Sequence, residues 1–241
     1  MGKAEDILLE DPLSQHAWHK LRAEIISGSL PPGSRLRIGM LREVYGIGAS
    51  PLREALFRLV SDGFVIAQER RGFIVAPISL TEFRDLTNMR KLLEKEALRS
   101  SLANGDDAWE ANILASFHRL SKAHKHLAAK EEGAIEEWEV LNEAFHDALV
   151  GACNSPYLLK FRSSVYAYTQ RYRRICLSIT SVSRDALAEH QNLCELALAR
   201  DIKKVLILID SHLEATYEKV AVSGTLPLTL ATTPLPAHFA T

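Results

Sequence analysis

In the first third of the chain, apolar side chains recur at intervals of three and four. Trp18, Leu21 and Ile25 mark a helix that starts near Ser14 and stops at Gly28. Leu30-Pro31-Pro32-Gly33 predicts a turn. A second, short helix is expected from about Gly39 to Tyr45, broken by Gly46-Ile47-Gly48. A third is expected from Pro51 to about Ser61, with Leu52, Ala55, Leu56 and Leu59 on one face. Ser50 suits its N-cap and Pro51 its first helical position, where the missing N–H costs nothing. Asp62-Gly63 ends it.

The period then changes. Phe64-Val65-Ile66-Ala67 and Phe73-Ile74-Val75-Ala76 are short apolar runs separated by Glu69-Arg70-Arg71-Gly72, which predicts a β-hairpin with a basic tip. From Leu80 onward the pattern is helical, with helices expected over about 80–103, 107–128, 133–153, 155–180, 183–200 and 202–222. The fold class expected is mainly α. It comprises an N-terminal winged helix-turn-helix over 14–78, with three helices and a β-hairpin wing, and a C-terminal all-α bundle over 80–222. Residues 1–13 read as a flexible tail. The Thr-, Pro- and Ala-rich stretch 223–241 reads as a disordered one.

The 241 residues suffice for two domains, and 47% hydrophobic with 24% charged residues is the balance of an ordinary globular protein. No apolar run approaches the roughly 20 residues of a membrane span. The acidic start lacks the layout of a signal peptide, so the expected location is the cytoplasm. Cys153, Cys176 and Cys194 form no CxxC pair and read as reduced, mostly buried thiols.

The net charge of −1 does not point to nucleic acid, but its distribution does. Residues 14–77 hold nine basic against five acidic side chains, a balance of +4 that leaves −5 for the rest. Three helices followed by a hairpin is the winged helix-turn-helix order, whose third helix enters the major groove of DNA. Its first turn carries Ser50, Leu52 and Arg53, and the wing tip carries Arg70, Arg71 and Gly72. Arg53 suits a base or phosphate contact, Ser50 a phosphate, and Arg42, placed at the opening of the second helix, a backbone contact. A merely solvated basic face is the competing reading for any one of these arginines. The order of the elements favours DNA.

These residues resemble a known family. Leu30-Pro31-Pro32-Gly33 with Leu36, Leu41, Gly46-Ile47, Ser50-Pro51-Leu52-Arg53-Glu54-Ala55-Leu56, Gly63-Phe64-Val65 and Arg71-Gly72-Phe73-Ile74-Val75 are similar in kind and spacing to the GntR family of bacterial regulators. The C-terminal part resembles the FadR-type (FCD) effector domain, and in particular its carbon-starvation-induced, CsiR-like branch. Three positions depart from the pattern. Ala49 stands where an arginine is common, which removes a base contact; Ile38 stands where glutamate is usual, and Arg42 where alanine is usual.

In the C-terminal part, Asn142 and His146 lie four residues apart on one helical face. His190 and His212 belong to two further helices, and spacing alone leaves open whether the three histidines converge. The resemblance implies that His146, His190 and His212 hold a divalent transition metal, zinc or nickel, with Asn142 at a position where the family often has aspartate. It further implies that Arg90 faces the pocket and pairs with the carboxylate of a small effector acid, glutarate-like in this branch. The competing reading of Arg90 is a surface residue paired with Glu94. In the run Arg171-Tyr172-Arg173-Arg174, at least two side chains are expected to point outward. Trp138 and Phe145 read as core. His16, His19, His118, His124, His126 and His238 read as surface residues.

Together these features predict a ligand-controlled regulator, acting as a homodimer on double-stranded operator DNA, as a repressor and without an organic cofactor. One alternative is a constitutive DNA binder with an inert effector domain. Another is a metalloenzyme with Asp147 or Glu143 as its base, although no HExxH-type signature is present.

Overall fold

The computed structural model describes residues 12–69, 72–179, 184–224 and 226. The chain divides into two compact units, Met1–Ile78 and Ser79–Thr241.

The first unit is a head of three helices and a small sheet: α1 (Pro12–Ser27), β1 (Arg35–Leu36), α2 (Ile38–Tyr45), α3 (Ala49–Ser61), β2 (Val65–Gln68) and β3 (Gly72–Val75). The sheet has three strands in the order β1-β3-β2, all antiparallel, with Val65 opposite Val75, Gln68 opposite Gly72 and Leu36 opposite Phe73. The hairpin is as predicted. β1 is an addition, and at two residues it is too short to carry an alternating signal. Gly46 ends α2 in the left-handed conformation (φ 67°), and its N–H donates to the Arg42 carbonyl. Arg42 therefore sits in the last turn of α2, not at its opening.

α3 also starts earlier than its sequence suggests. Gly48 is its N-cap, so Ser50 and Pro51 lie inside the first turn and Ser50 caps nothing. Pro51 is tolerated there because the first-turn N–H groups have no intrahelical acceptor. Leu52, Ala55, Leu56 and Leu59 face the head's core with Leu21 and Ile25 of α1. Trp18 lies beneath the end of α3, where its indole N–H donates to Asp62 at 2.6 Å.

The second unit is all helical among the described residues: α4 (Leu80–Asn104), α5 (Asp107–Ala128), α6 (Ala134–Leu149), α7 (Pro156–Ile179), α8 (Arg184–Leu198) and α9 (Ile202–Val222). Among the described residues, four starts are capped by side chains: Ser79 accepts from the Glu82 N–H, Asp106 from Trp109, Ser155 from Leu158 and Asp201 from Lys204. Trp109, Ile113, Leu120, Trp138, Phe145, Leu193, Val205 and Ile209 fill the main core, drawn from α5, α6, α8 and α9. α4 packs on both α7 and α9, and α7 also packs on α9. This enclosure corrects the expectation for the basic run on α7. Arg171, Tyr172 and Arg173 are all buried, because partners surround this helix on more than one side. Only Arg174 reaches outward, to Glu136.

Candidate metal centre, anion site and nucleic-acid face

Three helices each bring one imidazole to the same spot. His146 comes from the end of α6, His190 from the middle of α8 and His212 from the middle of α9. One ligand nitrogen from each lies within 4.8 Å of the others. The His190 and His212 rings are 4.8 Å apart between centroids, and His146 is 5.5 and 5.4 Å from them. His146 and His190 are almost fully buried, and the His212 side chain is 10% exposed.

The hydrogen bonding of this group is one-sided. His212 Nδ1 lies 2.6 Å from a carboxylate oxygen of Glu189, which fixes the tautomer and leaves Nε2 for the cluster. Neither ring nitrogen of His146 or of His190 makes a hydrogen bond of good geometry, although the Ala186 carbonyl lies close to His190. Asn142 donates through Nδ2 to the Tyr166 hydroxyl at 3.0 Å, and its Oδ1 is buried without a donor. Buried polar atoms are nearly always partnered. Here the orphans comprise imidazole nitrogens and an amide oxygen, which are metal-ligating atoms. Burial, then the charges of Arg90 and the neighbouring histidines, hold His146 well below the ordinary histidine pKa. Burial and then His212 do the same for His190. Both rings are therefore in the neutral, ligating form, and the residues present fit a divalent ion.

Beside the histidines lies a layer of three buried arginines around the Tyr166 ring. Arg90 stacks at 4.5 Å, Arg173 at 4.8 Å and Arg162 at 5.9 Å. Their neutralisation is uneven. Arg173 makes a two-pronged pair with Glu139 at 2.8 and 2.6 Å. Arg162 reaches Glu94 at 2.8 Å and Asp147 at 2.5 Å. Arg90 has only long contacts of 3.4 Å, to Glu94 and to Thr169, and its Nη2 is buried without an acceptor. The partners register the same asymmetry. Burial lowers the Arg90 pKa despite Glu94. Burial raises that of Glu94, but Arg162 first and Arg90 second bring it below the ordinary value. An arginine stays charged, so the depression expresses an incompletely matched positive charge. Both sequence readings of Arg90 are thus partly realised: it touches Glu94, but inside the protein rather than on its surface.

A cavity of about 60 Å³ joins the two groups, lined by the three histidines, Asn142, Arg90 and Arg173, with Trp138, Thr216 and Lys219 at its wall. A recess of about 10 Å³ continues past Arg90 to Thr87 and Thr169. A water molecule needs about 10–15 Å³ by the same measure, so the cavity has room for an ion and a small polar group. The carboxylates considered as catalytic bases are already engaged, Asp147 by Arg162 and Glu143 by Gln170 at 3.0 Å.

In the head, Arg42, Ser50 and Arg53 are exposed, and Gly72 is exposed with φ 82° at the start of β3. Leu52 is not available to DNA. It is fully buried, because a helix step of about 100° turns it into the core while Arg53 turns outward. Arg70 and Arg71 lie outside the described residues. Arg35 and Arg37, both exposed and flanking β1, were not singled out by pattern.

The profile of the bacterial regulatory proteins of the gntR family matches residues 13–75, and that of the FCD domain matches residues 85–215. Over 214 residues the chain is 39% identical to the HTH-type transcriptional regulator BphR of Paraburkholderia xenovorans (strain LB400), covering 89% of this chain and 87% of that one. The chain belongs to the GntR family. This regulator is also 36% identical over 205 residues to the HTH-type transcriptional repressor GlaR of Escherichia coli (strain K12), covering 83% of this chain and 91% of that one. Its fold is similar to that of E. coli McbR/YncC, with a TM-score of 0.75 at 20% identity over 88% of this chain and 99% of that one. The regulator is thus a transcription factor of GntR/FCD type, and its relatives are named as transcriptional regulators rather than enzymes. No helix among the described residues is long and apolar enough to cross a membrane.

Sequence reasoning missed much of the supporting layer. Arg162, Tyr166, Glu139 and Thr169 carry no local motif. Their spacing of three, four and seven on α7 was the available signal, since it places Arg162, Tyr166, Thr169 and Arg173 on one stripe. One histidine expected at the surface is not there: His124 is buried and accepts from the Trp138 indole at 3.3 Å, which fixes its ring orientation. His126 does lie at the surface, where it meets Glu137 at 2.9 Å. His16, His19 and His118 are exposed, and His238 lies outside the described residues. Trp138 and Phe145 are core residues, though Trp138 also lines the cavity. Cys153 and Cys194 are free and buried.

Proposed function

We propose that this regulator is a ligand-released repressor of a catabolic operon that acts as a homodimer in the cytoplasm. α3 enters the major groove of operator DNA, with Arg53 on a base edge or phosphate, Ser50 on a phosphate, and Arg42, Arg70, Arg71 and Gly72 toward the backbone. The bundle holds a small carboxylic acid, glutarate-like in chemistry. The observation that carries this reading is the neighbourhood of the unsatisfied histidine group and the under-neutralised Arg90 across one small cavity.

His146, His190 and His212 would hold a divalent ion, zinc or nickel, and Asn142 Oδ1 is the fourth candidate ligand. When bound, such an ion supplies a Lewis-acidic positive charge toward a carboxylate. The chain's own groups do the rest. Glu189 orients His212, Tyr166 holds the Asn142 amide, and Arg90 offers a forked cation with a free N–H edge. Release from DNA requires that the acid bind more tightly to the DNA-incompetent state.

A mobility-shift titration on the DNA upstream of the regulator's own gene tests the proposal. Specific binding should be lost on adding glutarate or a related acid, and elemental analysis should find about one zinc or nickel ion per chain. Binding unaffected by any small acid would favour a constitutive DNA binder instead.

A further inference from the structure

We infer that Arg162 sets how tightly Arg90 takes a carboxylate, by drawing Glu94 away from it, an inference that rests on the acid-binding reading above. Asp147 limits that pull from the surface side. Arg162, Glu94 and Asp147 are thus positioning residues, which tune the affinity for the acid without touching it.

Arg90 and Glu94 stand one turn apart on α4, Arg162 lies in the second turn of α7, and Asp147 in the last turn of α6. The two oxygens of Glu94 serve different arginines. Oε2 accepts from Arg162 Nε at 2.8 Å, whereas Oε1 accepts from Arg90 Nε only at 3.4 Å, long for a hydrogen bond. Arg162 also donates through Nη1 to Asp147 at 2.5 Å. Glu94 and Arg162 are buried, while the Asp147 side chain is 58% exposed. Alternating charges therefore run inward from solvent: Asp147, Arg162, Glu94, Arg90. Arg90 lines both the cavity and its recess, and the other three line neither.

Two cations and two carboxylates balance in sum but not in place. Arg162 holds both carboxylates closely, and Arg90 keeps the loose side of one. Burial would lower the pKa of either arginine; Glu94 and then Asp147 lift Arg162 above the ordinary value, whereas Arg90 stays below it. An acid that reaches Arg90 faces two obstacles. A tight Arg90–Glu94 pair would have to loosen, and Glu94 would repel the incoming carboxylate through a poorly screened interior. Arg162 weakens both, because it grips the other oxygen of Glu94 and neutralises its charge. Asp147 occupies a second edge of Arg162, so the guanidinium is shared rather than spent on Glu94 alone. The residual Arg90–Glu94 contact keeps the buried cation tolerable without an acid.

Calorimetric titration of the full-length, zinc-loaded protein with glutarate, succinate and acetate tests this. Arg162→Gln should weaken acid binding about tenfold or more, because Glu94 then turns wholly to Arg90. Glu94→Gln should tighten it by a similar factor. Asp147→Asn, at an exposed and screened position, should tighten it about two- to threefold. The double variant Glu94→Gln with Arg162→Gln should return to within about threefold of wild type, and it serves where Glu94→Gln alone fails to fold. A merely structural role would lower affinity in every variant, so the opposite signs are the signature. Unchanged or tighter binding in Arg162→Gln, or unchanged or weaker binding in Asp147→Asn, would overturn the inference. A second readout needs no acid. In urea denaturation, Arg90→Met should be close to neutral in the wild-type background and clearly destabilising in Arg162→Gln, where Glu94 loses its last cation. Equal effects in both backgrounds would overturn the withdrawal of Glu94. A wild type that takes up none of these acids would remove the acid-binding reading, and the denaturation cycle would still decide whether Arg162 draws Glu94 off Arg90.

Discussion

Glu189 accepts a hydrogen bond from Nδ1 of His212 at 2.6 Å, across one turn of α8 and one of α9. The pairing fixes which nitrogen points at the other two imidazoles. Glu189→Ala should leave the fold intact and lower affinity for zinc or nickel by about 10- to 100-fold, the usual cost of losing such a support. Competition titration against a chelator measures this. A variant with wild-type affinity would show that His212 needs no orienting partner.

Asn142 offers a neutral oxygen where a charged one would bind a cation more strongly. Asn142→Asp should raise metal affinity, by about tenfold or more if an added carboxylate completes the site. The wild type should lose thermal stability when chelated, because an ion that binds only the folded state stabilises it by about 2.7 kcal/mol at 100 times its Kd. Thermal melts with and without chelator test both statements. Identical melts would count against any bound ion.

Arg90 illustrates a charge retained at a cost. Arg90→Met should abolish the response to a small carboxylic acid while leaving DNA affinity unchanged. Stability should hold or rise, since replacing a poorly paired buried charge by an apolar side chain of similar volume is often neutral or favourable. Effector titrations on the DNA complex, with urea denaturation of the free protein, separate the two effects. A strongly destabilised variant would mean that Arg90 is a structural residue.

Leu52 and Arg53 are neighbours with opposite surroundings. Leu52→Ala should destabilise the head by about 2–5 kcal/mol, the cost of a large-to-small change in a closed core. Arg53→Ala should leave stability unchanged and weaken specific DNA binding by about 1–3 kcal/mol if it reads a base. Unfolding curves and mobility shifts on both variants check the assignment. Full DNA affinity in Arg53→Ala would displace that residue from the interface.

The helices of both units were legible because their apolar residues repeat at three and four over long stretches. The hairpin was legible because two such runs flank a Gly-ended basic turn. β1 was not, since two residues give no period and its pairing is decided by β3, nearly forty positions away. Leu52 carries two signals in the sequence, a place in the first turn of α3 and a place in the apolar stripe with Ala55, Leu56 and Leu59, and the stripe decides its burial. His146 and Asn142 could be placed together from their spacing. Their meeting with His190 and His212 could not, because it depends on how three helices cross. The arginine layer escaped for a related reason. Charged side chains are ordinarily assigned to solvent, and only the packing of α4 and α7 reveals which of them found partners inside.

Tyr172 sits beside Arg173 on α7, and its hydroxyl serves two groups at the opposite end of the bundle's sequence. It accepts from the Ser79 N–H at 3.4 Å and donates to the Glu82 carboxylate, while its ring stacks on Phe83 at 4.3 Å. The cavity wall and the first turn of the bundle are thereby bolted together through a single phenol. Sliding one past the other would break the Tyr172 contacts to Ser79 and Glu82, so the residue next to Arg173 also helps to hold the start of α4 in place.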